Sequence, residues 1–88
     1  MIQPTSEGFT VYTKSGCKYC SMVKELLQEE VVTYILSDEY LAADKEAFLA
    51  FIESTGGKDH KTFPMVFFDG KFIGGFTDTL ALMKSRYP

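Results

Sequence analysis

The sequence predicts an α/β fold: a four-stranded mixed sheet flanked by helices. Three observations predict it. Phe9-Thr10-Val11-Tyr12 is a β-branched and aromatic run that leads through a short turn into a helical pattern and then into a second apolar run, the order of a βαβ unit. Later, two short apolar runs flank Asp69-Gly70, a strong hairpin signal. Between and after these lie two further amphipathic stretches of helical period. The βαβ unit calls for parallel strands with a right-handed crossover, and the hairpin for antiparallel ones, so the sheet is mixed.

Each element has local support. Lys14-Ser15-Gly16 is a turn signal after the first strand. From Cys17 a helix begins, with Cys20, Val23, Leu26 and Leu27 on one face and Lys24, Glu25, Gln28 and Glu29 on the other. Val31 to Leu36 is apolar almost throughout, which predicts a strand central in the sheet or covered on both faces. Ser37 and Asp38 can cap the second helix, with Asp44 a rival start. Its stripe is Leu41, Phe48, Phe51 and Ile52, and Gly56-Gly57 ends it. Lys58-Asp59-His60-Lys61 is a polar loop, in which His60 reads as an exposed residue with no role. Pro64 opens the strand Met65-Val66-Phe67-Phe68, and Lys71-Phe72-Ile73 forms the fourth. Gly74-Gly75 breaks the hairpin. Thr77 can cap a last helix that turns Leu80, Met83 and Tyr87 inward.

Composition bounds the function. The 88 residues fit one domain, 1–88, and 45% hydrophobic content is enough for a core. A formal charge of -3 argues against broad nucleic-acid binding, which needs a basic footprint. Met1 to Gly8 contains no apolar leader core, and no apolar run approaches the roughly 20 residues that span a bilayer. The expectation is a soluble cytoplasmic protein without a membrane partner.

Only two cysteines are present, so a disulfide framework is excluded. A bridge between residues three apart closes too small a loop to stabilise much. Cys17 and Cys20 are therefore better placed for chemistry. On a helix they share a face, within reach of a disulfide. Cys17 sits at the helix mouth, where unpaired N–H groups and the positive dipole end stabilise a thiolate, the nucleophilic form. Lys14 and Lys18 add positive charge. Cys20, one turn in, is shielded and can attack a mixed disulfide formed at Cys17. Zinc is the weaker reading, because only His60 remains to join the two cysteines. Two inert buried cysteines are the other plain alternative.

Three motifs now combine: Val11 to Cys20 (Val-Tyr-Thr-Lys-Ser-Gly-Cys-Lys-Tyr-Cys), Thr62-Phe63-Pro64, and Gly74-Gly75-Phe76-Thr77-Asp78. In this order and spacing the chain resembles the glutaredoxins over nearly its whole length, of the dithiol type. The resemblance implies a thioredoxin-like fold with sheet order 2-1-3-4 and a cis peptide at Pro64. It implies a glutathione groove formed by Lys14, Tyr19, Lys61, Thr62, Phe63, Pro64, Gly75, Thr77 and Asp78, with Phe63 offering its backbone to the tripeptide. Lys14 would attract the glycine carboxylate, Tyr19 would wall the groove, and the Gly75–Asp78 turn would hold the γ-glutamyl end. Two departures stand out. Lys18 replaces the proline that often follows the first cysteine, and Glu53 stands where the family commonly has glutamine.

The activity implied is glutathione-dependent reduction of protein disulfides and glutathione mixed disulfides by a monomer, with Cys17 and Cys20 catalytic. Two rivals share the fold: a redoxin fed by thioredoxin reductase that donates electrons to ribonucleotide reductase, and a [2Fe–2S] carrier ligated through Cys17 and glutathione.

Overall fold

A computed structural model of the chain describes residues 1–57 and 59–86. Lys58 of the polar loop and Tyr87 of the last helix lie outside the described residues. The elements are β1 (Phe9–Thr13), α1 (Lys18–Leu26), β2 (Val32–Leu36), α2 (Asp38–Ser54), β3 (Met65–Phe68), β4 (Lys71–Gly74) and α3 (Phe76–Arg86). The sheet order is β2-β1-β3-β4. β1 runs parallel to β2, with Val11 opposite Tyr34, and antiparallel to β3, with Val11 opposite Val66. β3 and β4 are antiparallel, with an irregularity between Val66 and Phe67. This is the thioredoxin-like arrangement.

Side-chain alternation along the central strands builds two cores. Phe9, Val11 and Val66 point to one face, where Val23 and Leu27 follow α1 and Leu82 and Met83 come from α3. Tyr12, Met65 and Phe67 point to the other, onto Phe48 and Ile52 of α2. Every residue of β1 is buried, as a central strand covered on both faces requires. Asp69 and Gly70 both take positive φ (51° and 81°), the twist-matched geometry of a two-residue hairpin.

Three sequence expectations change. β2 is an edge strand, and Val31, Tyr34 and Leu36 are exposed. Its apolar run reflects β-propensity and partial cover on both faces, with Ile35 buried in one core and Val32 half-buried against the other. The second helix has both predicted starts. Asp44 takes an extended conformation (φ -164°, ψ 93°) inside α2, and its carboxylate accepts from the Ala47 N–H at 3.0 Å, capping the segment that follows. Ser37 precedes Asp38 but makes no side-chain cap. Finally, α3 begins at Phe76, so Thr77 lies within its first turn and is not its cap. Asp78 takes that part by accepting from the Gly75 N–H at 3.3 Å. The helix thus starts two residues earlier than a Thr77 cap implies, and Phe76, Thr79, Leu82 and Met83 face the core.

Candidate active site

The site forms where β1 meets α1. Cys17 takes the N-cap position (φ -101°, ψ 107°), and its sulfur accepts from the Cys20 N–H at 3.1 Å. A sulfur in this place meets one of the donors that a helix start leaves unpaired, the setting that stabilises a thiolate. The first turn carries no acidic residue to oppose it. Cys17 and Cys20 are joined by a disulfide with Cα atoms 5.2 Å apart. Cys17 is half-buried and Cys20 buried. One sulfur is therefore open to a partner and the other enclosed by the helix.

The loop before Cys17 is tied down from α2. Ser15 donates through its N–H to Asp38 Oδ1 at 2.9 Å and through its hydroxyl to Oδ2 at 2.5 Å. These bonds, helped by the nearby Lys14 charge, hold the Asp38 carboxyl below its ordinary range. The Ser37 N–H also donates to the Thr13 carbonyl at 2.8 Å, so the start of α2 fastens both the end of β1 and the loop.

Two grooves flank α1's N-terminus. The first, about 210 Å³, lies toward α3 and is lined by Tyr19, His60, Thr62, Phe63, Pro64, Gly75, Phe76, Thr77 and Asp78. Phe63-Pro64 is a cis peptide. Phe63 stacks on the α2 ring Phe48 with centroids 6.0 Å apart, and Tyr19 lies 6.0 Å from Phe76, so both walls are anchored in the fold. At Gly74, φ is +135° and the Asp78 carboxylate occupies the space a Cβ would need. Only glycine lets that carboxylate fold back onto the Gly75 N–H.

Seven of the residues predicted for a glutathione groove thus come together: Tyr19, Thr62, Phe63, Pro64, Gly75, Thr77 and Asp78. Lys14 lies at the boundary, its Nζ 5.7 Å over the Phe63 ring, and lines the second groove. Lys61 is not among the lining residues of this groove; with Glu46 and Glu53 it lines a neighbouring cavity. Sequence reasoning missed His60. Its Nε2 lies 3.3 Å from the Pro64 carbonyl, its ring sits against Gly75 and packs edge-on to Phe72. The imidazole thereby braces both walls of the groove. The available signal was its position two residues before Thr62-Phe63-Pro64.

The second groove, about 530 Å³, opens on the β2 side and includes Cys17, Lys18, Lys24 and Leu36. Among the described residues no three His, Cys, Asp or Glu side chains group as a metal site. A [2Fe–2S] cluster held through Cys17 and glutathione would need that sulfur reduced, free of its bond to Cys20.

Comparison with known proteins agrees with this geometry. The family model described as Glutaredoxin matches residues 9–73, which span both cysteines and the cis-proline. "Glutaredoxin-2, mitochondrial" of Pongo abelii is 36% identical over 75 residues, covering 84% of this chain and 45% of the relative. The chain therefore spans about half the length of that relative. "Glutaredoxin-C6" of Oryza sativa subsp. japonica is 41% identical over 80 residues, covering 88% of this chain and 67% of the relative. Among solved structures, a buckwheat glutaredoxin–glutathione complex superposes with a TM-score of 0.71 at 30% identity, covering 89% of this chain and 69% of that one. The holo form of glutaredoxin C1 from Populus tremula x tremuloides gives 0.73 at 30% identity, covering 93% and 72%. By matched family model, relatives and fold together, this chain belongs to the glutaredoxin family.

Proposed function

We propose that the chain is a dithiol glutaredoxin, a glutathione-dependent thiol–disulfide oxidoreductase. The observation that carries the reading is the half-buried Cys17 sulfur at the N-cap of α1, bonded to the enclosed Cys20 and beside the groove between cis-Pro64 and the Gly75–Asp78 turn. The glutathione named for the buckwheat structure supports that occupant for the groove.

With a glutathione mixed disulfide, the Cys17 thiolate attacks the glutathionyl sulfur. The S–S bond breaks, the substrate leaves as a thiolate and takes a proton, and Cys17 is glutathionylated. A second glutathione thiolate attacks that bond, releasing glutathione disulfide and restoring Cys17. With a protein disulfide, Cys17 forms a mixed disulfide with the protein and Cys20 resolves it, leaving the Cys17–Cys20 bridge. Glutathione then reduces the bridge. Glutathionylated proteins and protein disulfides, that of ribonucleotide reductase among them, are the substrate class. A compartment that keeps glutathione reduced, as the cytoplasm does, suits a monomer working this way.

The groove supplies orientation. Phe63 presents backbone to an extended tripeptide before the cis-proline. The start of α3 offers N–H groups to the γ-glutamyl carboxylate, and Asp78 its carboxylate to the ammonium.

The test is turnover of a glutathione mixed disulfide, followed by coupling glutathione disulfide formation to its reductase. Cys17→Ser abolishes turnover, and Cys20→Ser retains much of it, because the second glutathione does what Cys20 would do. Equal loss in both variants refutes the glutathione-specific mechanism. Turnover driven by thioredoxin reductase but not by glutathione moves the chain to the other redoxin class.

A further inference from the structure

Apart from Lys14 and Cys17, the groove on the β2 side of Cys17 is not used by the glutathione reading. It shares no lining residue with the groove at Pro64. We infer that it is a docking surface for an acidic segment of a disulfide-bearing polypeptide, one whose carboxylates meet Lys14, Lys18 and Lys24 while its disulfide reaches Cys17. The inference rests on the thiol-exchange chemistry proposed above and names a class of protein substrate for it.

Charge is the first argument. The chain is net acidic at -3, yet three of its nine cationic side chains line this one groove, and among the described residues no carboxylate does. Among the described residues none of the three lysines is in an ion pair. Asp38 lies within range of the Lys14 charge, and its two oxygens accept from Ser15. Lys18 and Lys24, with Lys14 at the boundary between the two grooves, concentrate positive charge on this side of Cys17, and that charge favours an anionic occupant.

Span is the second. Lys18 and Lys24 are separated by about 9 Å of helix rise, and Lys14 lies across the loop from them. One carboxylate cannot reach all three. An extended segment with acidic residues spread over about three positions can, at roughly 3.3 Å per residue.

The third is the apolar rim. Leu36 is 61% exposed and lines the groove, and the neighbouring Tyr34 carries the Lys24 Nζ 5.5 Å from its ring centre. Both belong to β2, whose outer edge is unpaired among the described residues. An apolar contact and positive charge thus lie beside the reacting sulfur, next to a strand whose outer edge has no partner among the described residues. A peptide strand uses all three, and a small inorganic anion uses one.

The exchange balances. Cys17 thiolate attacks one sulfur of the partner's disulfide, and the other partner sulfur leaves as thiolate. Cys20 thiolate then attacks the Cys17 sulfur and frees the second partner thiolate. Two electrons pass from the cysteine pair to the partner, and both partner thiolates take protons from water.

The experiment needs no glutathione. Protein reduced in advance is mixed in stopped flow with two peptides carrying the same disulfide, one flanked by Asp and Glu, the other by Asn and Gln at the same positions. At low ionic strength the wild type reduces the acidic peptide about tenfold faster, and the preference collapses at about 0.5 M salt. Lys24→Glu brings the acidic-to-neutral ratio near one, Lys24→Gln lowers it partway, and Leu36→Asp lowers it as well. Lys84→Glu, on α3, leaves the ratio unchanged. Equal rates for the two peptides in the wild type, or a preference that survives Lys24→Glu, overturn the inference. So does a Lys24→Glu variant slowed as much in glutathione turnover as in peptide reduction, because the groove would then serve the reductant. Failure of glutathione turnover in the wild type with the peptide preference intact would instead strike the glutathione reading alone.

Discussion

Replacing Gly74 by alanine tests whether the end of β4 and the start of α3 are built around a missing side chain. Gly74 is buried and takes φ +135°, a region that L side chains rarely adopt. Its Cα also faces Asp78 so closely that an added methyl overlaps the carboxylate. Two costs follow. Holding alanine at that φ costs about 1–3 kcal/mol. Displacing Asp78 breaks its bond to the Gly75 N–H, a cap worth about 1 kcal/mol. The sum, about 2–4 kcal/mol, is a large share of the roughly 5–15 kcal/mol that holds a domain together. For a chain of this size it lowers the thermal midpoint by roughly 8–30 °C. Circular dichroism melting of the wild type, Gly74→Ala, Asp78→Ala and the double variant reads it. Removing the Asp78 carboxylate relieves the overlap but not the φ strain. The double variant is therefore less destabilised than the two singles added together, by about 1 kcal/mol. A Gly74→Ala midpoint within about 2 °C of wild type, or strict additivity in the cycle, refutes the reasoning.

Other predictions concern groups around the site. His60→Ala removes the brace between Pro64 and Gly75, and with a hydrogen bond worth about 1 kcal/mol it raises KM for a glutathione mixed disulfide about fivefold with kcat largely kept; His60→Gln recovers part of the loss, and an unchanged KM counts against the brace. Asp38 has a carboxyl pKa lowered by Ser15 and Lys14, so its contribution to stability is present above the unfolded value of about 3.9 and is lost as pH falls through the lower folded value. The urea midpoints of wild type and Asp38→Asn therefore differ at pH 6 and converge in strong acid, whereas a constant gap would contradict the sign. The Tyr12 phenol is pushed up to about 12 by burial and then by Tyr40, and it donates to the Ile2 carbonyl at 2.5 Å. Its raised pKa makes stability fall as pH rises from about 10 through the folded value, and Tyr12→Phe flattens that alkaline limb in denaturant titrations.

The sequence by itself determined what neighbouring residues decide. Strand–turn–helix order, with cysteines three apart, made the redox pair legible, since i and i+3 share a helix face. Asp69-Gly70 specified the hairpin, because its positive φ angles suit few other pairs. Both starts of the second helix were visible, as Ser37-Asp38 and as Asp44. The Thr62-Phe63-Pro64 and Gly74–Asp78 runs carried most of the groove by resemblance.

Tertiary structure decided what depends on residues far apart. Val31 to Leu36 looks interior in composition, yet β2 pairs only with β1, and nothing within six residues encodes which strand lies at an edge. Lys61 and His60 are adjacent and both line the cavity with Glu46 and Glu53, but His60 alone also reaches the Pro64 carbonyl and the groove beside it. Asp78, rather than Thr77, completes the start of α3 because Gly74 leaves room for it. The surroundings of Cys17 were settled in the same way. Its role was local, written in the spacing to Cys20, but its two flanks, one walled by Pro64 and Gly75 and the other lined by lysines and Leu36, came from segments brought together only by the folded sheet.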